Sequence, residues 1–221
     1  MQTLSVNISE KYTILYKWAS LLALITIFYN IIEGIVSIYF GIEDETIALF
    51  GFGVDSFVEV VSGVGIWHMI QRLRKNNSDN PDRFERQALK ITGTAFYILS
   101  SGLIITSLLN LYQGHTPETT LWGIVIATIS ITLMGILIHY KIKIGKKLNS
   151  KAILADANCT KVCMYLSLIL LLSSLGYEVT KIGGMDSLGA IGIAYLSFKE
   201  GRESFEKAKG NMFCVCKNNC L

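Results

Sequence analysis

The stretch IALFGFGVDSFVEVVSGVGIWHMI, Ile47 to Ile70, decides how this chain is to be read. It is an unbroken apolar run, long enough to cross the ~30 Å hydrocarbon core of a bilayer as one helix. Near its middle it holds two acids, Asp55 and Glu59. Spaced i, i+4, the two carboxylates share one helical face. A charge at the centre of a membrane helix costs roughly 2.5–3.5 kcal/mol even on the lenient insertion scale, and such residues mark ion pathways.

Outward from this segment the chain keeps the same character. Of its 221 residues 51% are hydrophobic and 17% charged, whereas charged residues make up ~25% of an ordinary soluble domain. Its two prolines, Pro81 and Pro117, fall in polar connections, which leaves the apolar stretches free to be continuous helices. The short alternating segments of a β-barrel are absent. The first apolar run is longer than the core of a cleaved signal and is followed by Glu43, Asp44 and Glu45, so it reads as a span and not a signal peptide. The expected fold is an all-α integral membrane protein with six transmembrane helices: Trp18 to Phe40, Ile47 to Ile70, Ala88 to Tyr112, Thr119 to Tyr140, Ala152 to Tyr177 and Ile182 to Phe198. The chain then divides into a cytoplasmic N-terminus (1–17), a six-helix membrane domain (18–198) and a short cytoplasmic tail (199–221).

Charge sets the orientation. Eighteen of the twenty basic residues fall on one side of these spans, leaving Lys181 on the other and Lys161 inside the fifth. By the positive-inside rule both termini are cytoplasmic. The net charge of +3 is explained by topology and calls for no nucleic-acid partner.

The fifth span carries a second pair at the same spacing, Cys159 and Cys163. At ~1.5 Å per residue, Asp55 and Glu59 lie ~12 and ~18 Å from the outer end of their span, and Cys159 and Cys163 ~10 and ~16 Å from the inner end of theirs. In a ~30 Å core this sets Asp55 level with Cys163 and Glu59 level with Cys159, so that four donors converge near mid-membrane. Two carboxylates and two thiolates suit Zn2+ or a softer ion such as Cd2+, and disfavour Mg2+ and Ca2+. Four ionised ligands around a dication would leave a charge of −2 in low dielectric, so some must carry protons in part of the cycle. Cysteines in a span are also ordinary packing residues. Lys161, two residues from Cys159, points about 200° away from it around the helix.

Asp156 shares a face with Cys159, where it could support a ligand, relay protons or face the cytoplasmic vestibule. Asn30 and Glu33 read as interhelical hydrogen-bonding groups, and His68, His115 and His139 as interface residues. Cys214, Cys216 and Cys220 form a tail cluster beside Lys217. In a reducing cytoplasm these thiols suit metal capture better than disulfides, with lipidation or no role at all as the other readings open to them. A Walker-type phosphate loop is absent, so nucleotide-driven pumping is not indicated.

The stretches ALFGFGVDSFVE (Ala48 to Glu59) and AILADANCTKVC (Ala152 to Cys163) resemble the second and fifth helices of the cation diffusion facilitator (cation efflux) family, and MDSLGAIGI (Met185 to Ile193) resembles the start of its sixth. The resemblance implies a multi-pass protein of the plasma or inner membrane. It further implies divalent-metal export from the cytoplasm by proton antiport and alternating access, commonly as a homodimer, with no enzymatic activity and no cofactor. Asp55 and Glu59 stand where the family's second-helix ligands stand, and Cys159 and Cys163 where its fifth helix usually offers His and Asp. The residues after Phe198 are too few for the family's ferredoxin-like cytoplasmic domain, so the expectation is a short member lacking that domain. Two other expectations stay open: a membrane thiol–disulfide oxidoreductase, and a non-transporting metal-binding accessory protein.

Overall fold

The computed structural model describes residues 2–75, 83–114, 116–182 and 184–209. The tail cysteines Cys214, Cys216 and Cys220, with Pro81 and His115, lie outside them. Six helices follow in order: α1 (Gln2–Glu43), α2 (Ile47–Lys75), α3 (Arg83–Gln113), α4 (Leu121–Leu148), α5 (Lys151–Thr180) and α6 (Gly184–Ala208). Five of them, over Ile14–Glu43, Ile47–Arg72, Arg86–Gln113, Leu121–Leu148 and Asp156–Thr180, are long and apolar enough to cross a membrane. The sixth is long enough, at 25 residues, but Asp186 and the charged run from Lys199 dilute its apolar character. As the Glu- and Lys-rich sequence after Phe198 suggests, α6 continues to Ala208 without a break.

The helices pair as α1 with α2, α3 with α6, and α4 with α5, while α2 also touches α3, α5 and α6. Glycine makes the closest approach possible. A Cβ on Gly53 of α2 would sit 2.8 Å from the Ile38 backbone nitrogen and 2.9 Å from the Ser37 Cβ of α1, a spacing only a bare backbone allows. Apolar side chains such as Phe28, Ile32, Ile98, Ile105, Tyr195 and Phe198 stand exposed around the outside. That is the arrangement expected where lipid replaces water.

Short connections fix the register. Between α4 and α5 lie only Asn149, in the left-handed conformation with φ 47°, and Ser150, whose hydroxyl accepts from the Ile153 N–H. Between α3 and α4 the Glu178 carboxylate of α5 accepts from the Thr120 N–H at 2.7 Å. The start of α2 is capped from across the bundle. Asp186 of α6 accepts from the Ile47 N–H at 2.8 Å and the Ala48 N–H at 3.2 Å, supplying two of the donors that a helix N-terminus leaves without partners.

Packing differs between the two halves of the bundle. Toward the Asp186 end one apolar cluster unites α2, α3, α4, α5 and α6 through Leu49, Phe52, Leu103, Ala127, Leu166, Leu170 and Ile193. Toward the end where α1 begins and α6 finishes, a second cluster joins α1, α2, α4 and α5 through Ala23, Ile70, Met134, Leu137, Ile144 and Ile153. The α3–α6 pair contributes nothing buried to the second cluster, and the space between holds a cavity.

One sequence expectation is corrected here. Lys141, assigned to a cytoplasmic connection, lies inside α4 with only 2% of its surface exposed. The helix runs past the apolar segment, and the tight α4–α5 hairpin folds Lys141 back against Asp156.

Candidate metal centre

The cavity, about 80 Å³, is lined by all the helices except α4. Asn30, Glu59 and Cys163 stand at its mid-span end, while Met69, Leu89 and Lys207 stand toward the end where α1 begins and α6 finishes. The i, i+4 spacing that put Cys159 and Cys163 on one face of α5 holds, since both line this space.

The ligand-type side chains are spoken for in specific ways. Glu59 Oε1 accepts from the Cys163 thiol at 2.5 Å, and its Oε2 accepts from Asn30 Nδ2 at 2.9 Å. Asp55, 2% exposed, accepts from the Ser197 hydroxyl of α6 at 2.8 Å and is not on the cavity wall. Cys159 Sγ accepts from Lys207 Nζ of α6 at 3.3 Å. Two of the four predicted donors, Glu59 and Cys163, are thus in contact. Cys159 is on the same cavity one turn away, and Asp55 is turned toward α6. Among the described residues, no three His, Cys, Asp or Glu side chains stand together in a geometry that holds an ion.

The depth matching is corrected by one turn, because Cys163 meets Glu59 and not Asp55. The physical reason is the length of α5, 30 residues, or ~45 Å at ~1.5 Å per residue, well over the ~30 Å core. Depths counted from its inner end therefore place its residues too far outward.

Asp156 also lines the cavity, but its two oxygens each lie 3.0 Å from Lys141 Nζ, which in turn donates to Thr160 Oγ1 at 2.9 Å. It is the acid of a buried ion pair that fixes the rotation of α5. Lys161 points away from the cavity, as expected, and donates to Asn158 on its own helix at 3.3 Å. Glu33 accepts from Tyr29 at 2.6 Å and Ser56 at 3.1 Å, which confirms it as an interhelical hydrogen-bonding group. His139 is exposed with its ring edge-on to Tyr140.

Sequence reasoning missed Lys207 and Glu200. Both lie beyond the sixth apolar segment, where a charge-rich helix reads as a solvated extension, yet both line the cavity. Burial pushes the Glu200 carboxyl up to about 7, against the pull of the Lys207 ammonium. Burial works to lower the pKa of Lys207, but Cys159, Glu200 and Glu203 outweigh it and hold the ammonium above its usual range. The available signal was the spacing: 200, 204 and 207 fall on one helical face, and all three line the cavity.

A bundle of membrane-crossing helices around a largely apolar cavity that holds a few acid and thiol groups defines a class of ion-handling membrane proteins. The model of the cation efflux transmembrane domain matches residues 20–210, and the chain belongs to that family. It is a multi-pass membrane protein of a family of transporters, which are not enzymes and need no cofactor. The chain is 29% identical over 192 residues to the manganese efflux system protein MneP of Bacillus subtilis, covering 82% of this chain and 64% of that protein. It is 25% identical over 132 residues to an uncharacterized transporter of Methanocaldococcus jannaschii, covering 58% of this chain and 47% of that one. The chain therefore spans less than two thirds of the length of either relative.

Proposed function

We propose that this protein exports a divalent metal cation from the cytoplasm by alternating access in exchange for protons. Asp55, Glu59, Cys159 and Cys163 serve as its ligands over the cycle. The observation that carries the reading is the Glu59–Cys163 contact on the wall of the cavity. A thiol hydrogen is directed at a carboxylate there, and it must leave before both atoms can bind one ion, so cation binding releases a proton. The packing supports alternation. The α3–α6 pair shares an apolar cluster with the other helices at the Asp186 end and is parted from them by the cavity at the other. Closing the cavity and parting the apolar cluster would expose the same ligands to the opposite side.

Sulfur among the donors favours Zn2+ or Cd2+ as the ion. A second reading, Mn2+, is favoured by the likeness to a manganese efflux protein and by the oxygen atoms of Asp55 and Glu59. The test is uptake of Zn2+, Cd2+ and Mn2+ into proteoliposomes under an imposed pH gradient, with proton flux recorded at the same time. Transport of at least one ion that Asp55→Ala and Cys159→Ala both abolish is expected. Metal-driven proton flux surviving in both variants would refute the ligand assignment.

A further inference from the structure

Asn30 lies in α1, outside the two helices that carry the proposed ligands, and is buried with 1% of its surface exposed. Its Nδ2 is committed to Glu59 Oε2 at 2.9 Å. Its Oδ1 is buried and has no hydrogen-bond partner among the described residues. The other buried side-chain atoms in that condition, on Ser37, Asp44, Thr46, Thr92 and Ser107, do not line the cavity; Asn30 does. Rotating the amide cannot relieve it, because exchanging the two atoms would set oxygen against the Glu59 carboxylate. An acceptor left without a donor is costly, and such a group in a native site calls for an explanation.

We infer that Asn30 Oδ1 is a direct ligand of the transported cation, completing with Glu59 and Cys163 a three-helix donor set in this conformation. Resting on the Glu59–Cys163 site proposed above, it has three consequences. The orphan oxygen acquires a partner when an ion enters. Charge balances, because one carboxylate and one thiolate neutralise a dication and the amide adds a neutral donor, so Asp55 can stay hydrogen-bonded to Ser197 and Cys159 to Lys207. Finally, a second hard oxygen beside one sulfur moves the set toward ions that accept oxygen, so Asn30 helps to set specificity.

The test uses the full chain in detergent with Mn2+ and Cd2+ as probes. Asparagine carrying carbon-13 in its side-chain carbonyl is incorporated into the unmutated protein, and Mn2+ is examined by electron–nuclear double resonance. A carbon-13 coupling of ligand magnitude is expected in the unmutated protein and not in Asn30→Ala. In the same variant, affinity for Mn2+ should fall by about 10- to 100-fold and affinity for Cd2+ by less. Glu59→Gln should lose both ions. Absence of the coupling in the unmutated protein, or its persistence in Asn30→Ala, overturns the role of Asn30 while leaving the site intact. Undiminished binding in Glu59→Gln overturns the site itself, and the role with it.

Discussion

The ammonium of Lys207 stands 3.3 Å from the sulfur of Cys159, inside the cavity and at the end of the helix that must move if the cavity is to close. A tethered cation thus occupies one of the proposed metal ligands. Lys207→Met should remove that competitor and strengthen binding of Cd2+ by about tenfold, or about 1.4 kcal/mol, as measured by competition with a chromophoric chelator. Lys207→Arg should leave affinity within a few-fold. If Lys207→Met binds more weakly than the unmutated protein, the lysine assists the ion and does not compete with it.

Lys141 and Asp156 are buried together between α4 and α5. Removing one partner leaves an uncompensated charge, so Lys141→Met and Asp156→Leu should each destabilise the detergent-solubilised protein by about 3–5 kcal/mol. The double variant should lose far less than the sum of the two. Thermal unfolding of the four proteins closes the cycle, and strictly additive losses would show that the pair is not coupled.

Glu200 gives the protein a pH dependence of definite sign. Its carboxyl, ordinarily near 4.5, is raised to about 7 by burial, with Lys207, Glu203 and Lys199 as its charged neighbours. The folded state therefore holds a proton that the unfolded chain has already released, and stability falls as pH rises from about 4.5 to about 7, then levels off. The span is about 3 kcal/mol. Glu200→Gln should flatten this part of the profile, and a profile no different from that of the unmutated protein would count against the buried carboxyl as its source.

The α1–α2 seam depends on the bare backbone at Gly53. Gly53→Ala forces the new methyl against the backbone of Ile38 and should cost about 1–3 kcal/mol. Gly135 in α4 has open space around it, so Gly135→Ala should be neutral or stabilising by up to about 1 kcal/mol. Unfolding midpoints of the two variants check both signs at once.

Hydropathy made the helices legible because in lipid the backbone has to satisfy itself, and an apolar run of the right length has few alternatives to α-helix. The i, i+4 pairs were legible for a related reason, since a helix face is fixed once the helix is. Heights along the bundle were less legible. Apolar boundaries mark where lipid contact ends, whereas α4 continues as helix beyond them, which misplaced Lys141, and α5 is longer than the membrane core is thick, which shifted Cys163 by one turn. Partnerships across helices were the least legible. The spacing of 200, 204 and 207 puts them on one face of α6, but only the packing shows that this face meets the cavity and turns Lys207 toward Cys159. Asn30 was readable as an interhelical hydrogen-bonding residue, but the oxygen it leaves over becomes visible only when Glu59 is seen to engage its nitrogen alone.

The cap that Asp186 places on α2 joins residues 139 positions apart in the chain. The helix bearing Asp55 and Glu59 is synthesised before α3, α4 and α5, yet the carboxylate that completes its first turn arrives with α6. Until α6 is made, the Ile47 and Ala48 amides have no partner from it, and the apolar cluster at that end of the bundle lacks one wall. Completion of the α2 N-terminus is thereby tied to the synthesis of α6, so a chain made only as far as α5 lacks this contact between the two helices.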